Sequence, residues 1–118
     1  RQPLTGWDLA VVGAPLYSGR WHRDAHRFLK RHQAELASIP VAVFGMGPRH
    51  EDEDVWQRSR AQLDRALAKQ AWLVPVAVAV FGGADPAGSY RRQRRDLRDW
   101  TEIGNWARKV LALTADEN

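Results

Sequence analysis

The chain has 118 residues, 44% of them hydrophobic, and its 18 lysines and arginines outnumber its 14 aspartates and glutamates, for a formal charge of +4. The length fits one domain of about 100–150 residues, and the hydrophobic content excludes a disordered chain. No cysteine is present, which excludes disulfides, thiolate zinc sites and cysteine nucleophiles and favours a cytoplasmic protein.

Three short valine-rich segments, 8–13, 40–45 and 75–82, predict β-strands. Each segment is continuously apolar and ends in glycine, as expected of strands that are buried on both faces of a parallel sheet. Their shortness, their β-branched residues and their flanking prolines and glycines favour strands over core helices.

Helical periodicity fills the segments after each strand. The buried stripes that it predicts are Ala25, Phe28, Leu29, His32 and Leu36; Trp56, Leu63, Ala66, Leu67 and Gln70; and Ile103, Trp106, Ala107, Val110 and Leu111. Asp99 and Glu102 precede the third stripe as a capping box. The order β-α-β-α-β-α predicts one α/β domain over residues 1–118, with right-handed crossovers and a parallel sheet covered by helices.

The first strand indicates that the sheet formed by these three segments is incomplete. It is as apolar as the others, yet a three-stranded sheet has two edges, so this strand needs a neighbour on its far side. We infer that one or two preceding β-α units of the domain are missing, or that a partner chain covers this edge. Association of identical chains through the exposed sheet edge is therefore expected.

Ligands of open parallel sheets bind beyond the carboxyl ends of the strands. Three glycine-containing loops, 13–21, 45–50 and 82–86, follow these ends. Glycine lets a backbone approach a ligand closely, and Tyr17 and Trp21 in the first loop could lie against a planar ring. The alternative is that the glycines only end strands and turn the chain.

The sequence gives only weak signals for other kinds of functional site. The chain has no G-x-S-x-G motif for a serine nucleophile. His22 and His26 have a spacing that can hold zinc, but no glutamate base lies between them, and solvated surface histidines are the simpler interpretation. Gly45 and Gly47 begin a dinucleotide fingerprint that Pro48 interrupts. The excess charge is modest and locally balanced by the acidic residues 51–54, so nucleic-acid binding is not indicated.

The first of these loops and its helix, residues 12–29, carry a distinctive pattern. They resemble the flavodoxin-domain family that includes menaquinone-dependent protoporphyrinogen oxidase and its actinobacterial relatives. Segments 40–45, 69–83 and 99–107 agree with that family in order and spacing, so the resemblance covers nearly the whole chain.

The resemblance implies a flavodoxin-like fold with strand order 2-1-3-4-5, in which the strands of this chain are the third, fourth and fifth. It also implies FMN as the cofactor and an oxidoreductase or electron-transfer function, with a redox partner or quinone. The residues that it places at the flavin are Pro15, Leu16, Tyr17, Ser18 and Gly19 from the first loop, Trp21, and Gly45, Met46 and Gly47 from the second. Tyr17 is the best stacking candidate.

Two departures from the family matter. Its phosphate loop, a Ser/Thr- and Gly-rich turn before a helix, has no counterpart here, so this chain alone is expected to bind FMN poorly or not at all. The long substrate insertion of the protoporphyrinogen oxidases is shortened between Gly83 and Asp99, which weakens the case for that substrate. A non-catalytic flavodoxin-like interaction module therefore remains an alternative.

The shortened segment carries an arginine run, residues 91–98, whose local charge of +4 equals that of the whole chain. Its arginines could contact an anionic membrane surface or a porphyrin carboxylate, or form a solvated basic loop. These arginines are Arg91, Arg92, Arg94, Arg95 and Arg98.

Overall fold

The computed structural model describes residues 9–17, 20–49, 52–84 and 96–116. The elements are β1 (Ala10–Tyr17), β2 (Arg20–Trp21), α1 (Arg23–Arg31), α2 (Gln33–Leu36), β3 (Val41–Met46), α3 (Glu53–Leu67), β4 (Ala77–Phe81) and α4 (Trp100–Asp116). The predicted α/β alternation is confirmed. Within the described ranges, no helix is long and apolar enough to cross a membrane.

The four strands form one sheet in the order β2-β1-β3-β4. The three long strands are parallel, with Val12 opposite Val43 and Val43 opposite Val78. Consecutive long strands are therefore neighbours, as the third, fourth and fifth strands of a flavodoxin-like sheet should be. The short β2 was not predicted; it pairs antiparallel with the end of β1. The Ser-Gly dipeptide at positions 18 and 19, a turn signal, was the available clue.

Two strands run beyond the glycines that were expected to end them. β1 passes through Gly13 and continues to Tyr17, and β3 passes through Gly45 to Met46. Gly13 is needed inside its strand because the Phe44 ring lies across it, and a Cβ atom there would overlap that ring. Glycine within a strand thus marks the close approach of a neighbouring side chain rather than the end of the strand.

The sheet separates two apolar clusters. On one face, alternate residues of β1 pack with Leu29, Leu36 and Leu63 from the three helices α1–α3. On the other face, Phe44 and Phe81 pack with Ile103 and Trp106 of α4. Among the described residues, α4 lies over β3 and β4 rather than over β1, and Val11 on this second face of β1 is exposed. The expectation that all three strands are buried on both faces was wrong for β1 and for the half-buried β4.

The helical predictions are confirmed with three changes, one of which is that α3 ends at Leu67, so Gln70 of the second predicted stripe lies beyond the helix. The first stripe is buried or half-buried, but its helix divides at His32, whose Nδ1 lies 2.8 Å from Glu35 Oε2. Asp99 caps α4, because its Oδ1 accepts the backbone N–H of Glu102 at 3.0 Å. Leu111, predicted to be buried, is exposed, since the sheet-facing stripe of α4 continues through Val110.

Candidate functional site

The carboxyl ends of β1, β3 and β4 converge at one edge of the sheet, here called the rim, which comprises residues 15–17, 46–49 and 81–84. Backbone hydrogen bonds join the second and third of these segments. Gly47 N–H donates to the Phe81 carbonyl at 3.1 Å, and Gly83 N–H donates to the Pro48 carbonyl at 2.7 Å. The predicted meeting of the strand ends is therefore confirmed, and the rim is fixed by its own backbone.

The rim glycines serve packing within the chain. A Cβ atom on Gly45 would lie 2.9 Å from Leu16 Cδ1, and one on Gly47 would lie 2.8 Å from Ser59 Oγ. A Cβ atom on Gly82 would overlap the backbone carbonyl of Leu97. The space that these glycines leave is thus filled by the chain itself, so on that side they serve close packing, a role that neither sequence interpretation included.

Tyr17, the last residue of β1, is half-buried and lies beside Arg49 from the loop after β3. The guanidinium carbon of Arg49 is 5.3 Å from the centroid of the Tyr17 ring, within the range of a cation–π contact. Arg49 Nε also donates to the Ala84 carbonyl at 3.4 Å, so this side chain links the ends of all three long strands. The sequence analysis included Arg49 in a rim loop but assigned it no role. The signal that it missed was a cationic side chain in a loop next to the one that contains the aromatic Tyr17.

Arg98 is the member of the arginine run that the described residues include. Its Nε and Nη2 donate to the two carboxylate oxygens of Asp96, at 3.0 Å and 2.7 Å. These hydrogen bonds and the Asp96 charge raise the pKa of Arg98 above its ordinary value, and the nearby Tyr17 adds a smaller electrostatic contribution. Arg91, Arg92, Arg94 and Arg95 lie outside the described residues.

The predicted flavin-contact residues divide into three groups. Pro15, Tyr17 and Met46 are half-buried at the rim and can contact a ligand, whereas Leu16, Gly45 and Gly47 are buried. Ser18 and Gly19 lie outside the described residues.

Trp21 belongs to the core rather than to the rim. Its side chain is 2% exposed and packs in the apolar cluster between the sheet and helices α1–α3. Its Nε1–H donates to the Phe44 carbonyl at 3.2 Å. The proposal that Trp21 stacks on a ligand is corrected by this burial, because neither face of the indole is open. The antiparallel pairing of β2 with β1, absent from the prediction, directs Trp21 inward.

The His22 and His26 pair serves local structure. His22 Nδ1 accepts the backbone N–H of Asp24 at 3.1 Å and caps α1, and the His26 ring lies edge-on to Trp21 with centroids 5.5 Å apart. In the described ranges, no group of three or more histidine, aspartate or glutamate side chains is arranged to hold a metal. Burial, followed by the charge of Lys69, lowers the pKa of His26.

The starts of the long helices are acidic. At the start of α3, Asp52 Oδ1 accepts the backbone N–H of Asp54 at 2.9 Å, and Glu53 lies between them. The first turn of α4 contains Glu102 and is capped by Asp99. The first turn of α1 contains Asp24. Carboxylates at a helix N-terminus occupy the place that a phosphate would take and repel it. The described helices therefore provide no phosphate cradle.

Comparison with known proteins agrees with this fold. The model of a family described as "Flavodoxin domain" matches residues 2–96. Protoporphyrinogen IX dehydrogenase [quinone] of Escherichia coli K12 is 26% identical to this chain over an alignment that is 129 residues long. The alignment covers 92% of this chain and 71% of that protein. The proteins of the same name from strains O6:H1 and O157:H7 match equally well. No solved structure gives a significant match. With more than half of its residues matched by the family model, the chain belongs to the flavodoxin domain family.

Proposed function

We propose that this chain contributes the ring-binding part of an FMN site in an oxidoreductase or electron-transfer protein. The observation that carries the proposal is the half-exposed Tyr17 side chain at the rim, with the Arg49 guanidinium 5.3 Å from its ring centroid. Membership of the flavodoxin domain family and the similarity to a protein named for quinone-dependent protoporphyrinogen IX dehydrogenation support it.

The rim residues fit the flat ring of a flavin but not its phosphate. Pro15, Tyr17 and Met46 offer half-buried apolar and aromatic surface, on which a planar ring can lie. The acidic starts of α1, α3 and α4 disfavour a phosphate there. The donors for the phosphate are therefore expected from outside the described residues.

A bound flavin would supply the electron-transfer chemistry, and the chain would orient the ring and set its electrostatic surroundings. Tyr17 would provide a stacking surface, and Arg49 would hold the tyrosine ring in place. Because Arg49 places positive charge beside Tyr17, it would favour a ligand that gains electron density. A quinone or another redox partner would exchange electrons with the flavin. Oxidation of protoporphyrinogen is the finer possibility that the relative's name suggests.

A second candidate function is a flavodoxin-like interaction module without a cofactor. The acidic helix starts favour it, because they leave the described residues without a phosphate site. The two candidates differ in one property: only the first requires the protein to retain a flavin.

The deciding experiment mixes the protein in its natural full length with FMN and then removes free flavin by gel filtration. The first function predicts flavin absorption bands that co-elute with the protein. A flavin-free protein peak, with correct folding shown by circular dichroism, would favour the interaction module instead.

A further inference from the structure

The three long helices differ in net charge. With histidine neutral, α1 carries four lysines and arginines against one aspartate, for a net charge of +3. α3 carries three basic and three acidic residues, and α4 carries two of each. Of these three helices, the shortest therefore holds the net positive charge.

The cations of α1 share the face of the helix that points away from the core. They follow the spacing i, i+4, i+7 and i+8, which places them on one side of a 3.6-residue period. All four are exposed, whereas Ala25 and Leu29 on the opposite side of α1 are buried. We call this face the α1 basic stripe; its residues are Arg23, Arg27, Lys30 and Arg31.

Helix stability does not account for the whole stripe. Lys30 and Arg31 suit the last turn, but Arg23 begins the helix, where the positive end of the helix dipole disfavours a cation. Arg27 lies four residues from both Arg23 and Arg31, a spacing at which like charges repel each other. Among the described residues, the carboxylate within ion-pair distance of the stripe is that of Asp24, whose Oδ1 lies 3.9 Å from Arg27 Nη1. The stripe therefore presents positive charge that one aspartate offsets only in part.

We propose that the α1 basic stripe is the docking surface for a partner protein that presents an acidic patch. Opposite charge on the partner would compensate the stripe and guide the encounter of the two proteins. A helix that lies on a membrane inserts an apolar face into the lipid, whereas the apolar residues of α1 are buried in the core. The exposed large hydrophobic side chains of the described residues lie on β1, on α4 and at positions 74–76, away from α1. Recognition by charge alone therefore fits an acidic protein surface better than a lipid surface.

The start of α1 adjoins the rim. His22, which precedes the helix, donates its backbone N–H to the Pro15 carbonyl at 2.9 Å. The exposed Arg20 is the β2 partner of Tyr17 and adds a fifth cation at this end. A partner on the stripe would thus lie beside Tyr17. Binding of the partner is independent of flavin, whereas a role for it in electron exchange rests on the proposed function.

Fluorescence anisotropy of a labelled poly-L-glutamate peptide, titrated with the flavin-free protein in its natural full length, tests the proposal. We expect saturable binding that weakens as sodium chloride rises from about 20 mM to about 500 mM. The variant R23Q/R27Q/K30Q should weaken binding at low salt by about tenfold or more. It should be no less stable than the wild type in thermal unfolding, because the replaced cations repel one another.

The matched control is R58Q/R60Q/R65Q, which removes three exposed arginines from α3. It changes the net charge by the same amount, but these arginines are interspersed with acidic residues, and Arg60 Nε donates to Asp64 at 3.0 Å. Binding of the peptide should therefore weaken by less than about threefold.

Four results would overturn the proposal. The first two are no binding of the peptide at low salt and equal weakening by the two triple variants. The third is that vesicles of phosphatidylglycerol and phosphatidylcholine in equal parts bind through the stripe while the peptide does not, which would assign the stripe to a membrane. The fourth is self-association, seen by light scattering without peptide, that R23Q/R27Q/K30Q removes, which would assign it to a second copy.

Discussion

The Arg49 guanidinium carbon lies 5.3 Å from the centroid of the Tyr17 ring, and this contact joins the ends of β1 and β3 at the rim. Through Nε, the same arginine reaches the Ala84 carbonyl beyond β4. One side chain thus connects the three strand ends and restrains the aromatic residue best placed to contact a planar ligand. Positioning of Tyr17 by Arg49 is the basis of the first two predictions.

Replacing Tyr17 tests the stacking surface. Tyr17→Phe retains the ring and should keep most of the FMN affinity, whereas Tyr17→Ala removes it and should weaken binding by about tenfold, the upper part of the range for a stacked aromatic pair. Fluorescence titration of FMN with each full-length variant measures the effect. Equal affinities for Tyr17→Ala and the wild type would place the flavin elsewhere.

Replacing Arg49 tests the contact that restrains the ring. Arg49→Gln removes the cation and should lower the free energy of unfolding by about 0.5–1 kcal/mol and weaken FMN binding by about two- to fivefold. Arg49→Lys, which keeps a positive charge, should restore part of the stability and part of the FMN affinity. Arg27→Gln, at an exposed arginine of α1, is the matched control. If the two glutamine variants behave alike in urea unfolding and in FMN titration, the contact has no role.

The core position of Trp21 predicts a large effect on stability. Trp21→Phe removes the Nε1–H donor to the Phe44 carbonyl and leaves a cavity, so it should lower the free energy of unfolding by at least about 2 kcal/mol. The exposed Trp100 offers the comparison, since Trp100→Phe should change that free energy by less than about 0.5 kcal/mol. Urea unfolding of both variants measures the difference, and similar losses would contradict the core assignment.

Replacement by alanine should have opposite effects on stability at two glycines. A Cβ atom at Gly82 would overlap the Leu97 carbonyl, so Gly82→Ala should destabilise the fold by about 1–3 kcal/mol. Gly104 lies within α4, where, among the described residues, a Cβ atom would meet the Arg108 side chain alone, at 3.8 Å. Gly104→Ala should therefore stabilise by about 0.5–1 kcal/mol. Thermal unfolding compares the two; destabilisation by both would show that α4 packs more tightly at Gly104.

The environment of His26 predicts a pH dependence. Burial, with a further contribution from Lys69, lowers its pKa in the folded state below the ordinary value of 6.5. The unfolded chain therefore binds a proton at this residue more readily than the folded chain does. Stability should fall as the pH decreases through about 6.5. The free energy of unfolding measured between pH 8 and pH 5 should decline less in His26→Gln than in the wild type, and parallel profiles would contradict this prediction.

Local patterns predicted much of the fold. Continuous valine-rich runs identified β1, β3 and β4, and the 3.6-residue period identified the buried Leu29, Leu63 and Ile103. The strand ends were missed because Gly13 and Gly45 were interpreted as stops, whereas each makes room for a side chain distant in sequence. Such contacts become visible only once the strands are aligned. The burial of Trp21 was missed for the same reason, because it depends on the unpredicted pairing of β2 with β1.

The candidate site was predicted less completely than the fold. Tyr17 could be proposed because an aromatic residue after a strand indicates a ligand-facing rim. Arg49 could not, since its relation to Tyr17 depends on the parallel register of β1 and β3, which places Pro15 opposite Met46. Register is a property of the assembled sheet, so sequence spacing alone does not report it.

Whether the rim belongs to a flavin site is tested most directly by the fluorescence of FMN titrated with the protein in its natural full length. We expect saturable quenching that is weakened in Tyr17→Ala. Unchanged FMN fluorescence at saturating concentrations of folded protein would contradict it.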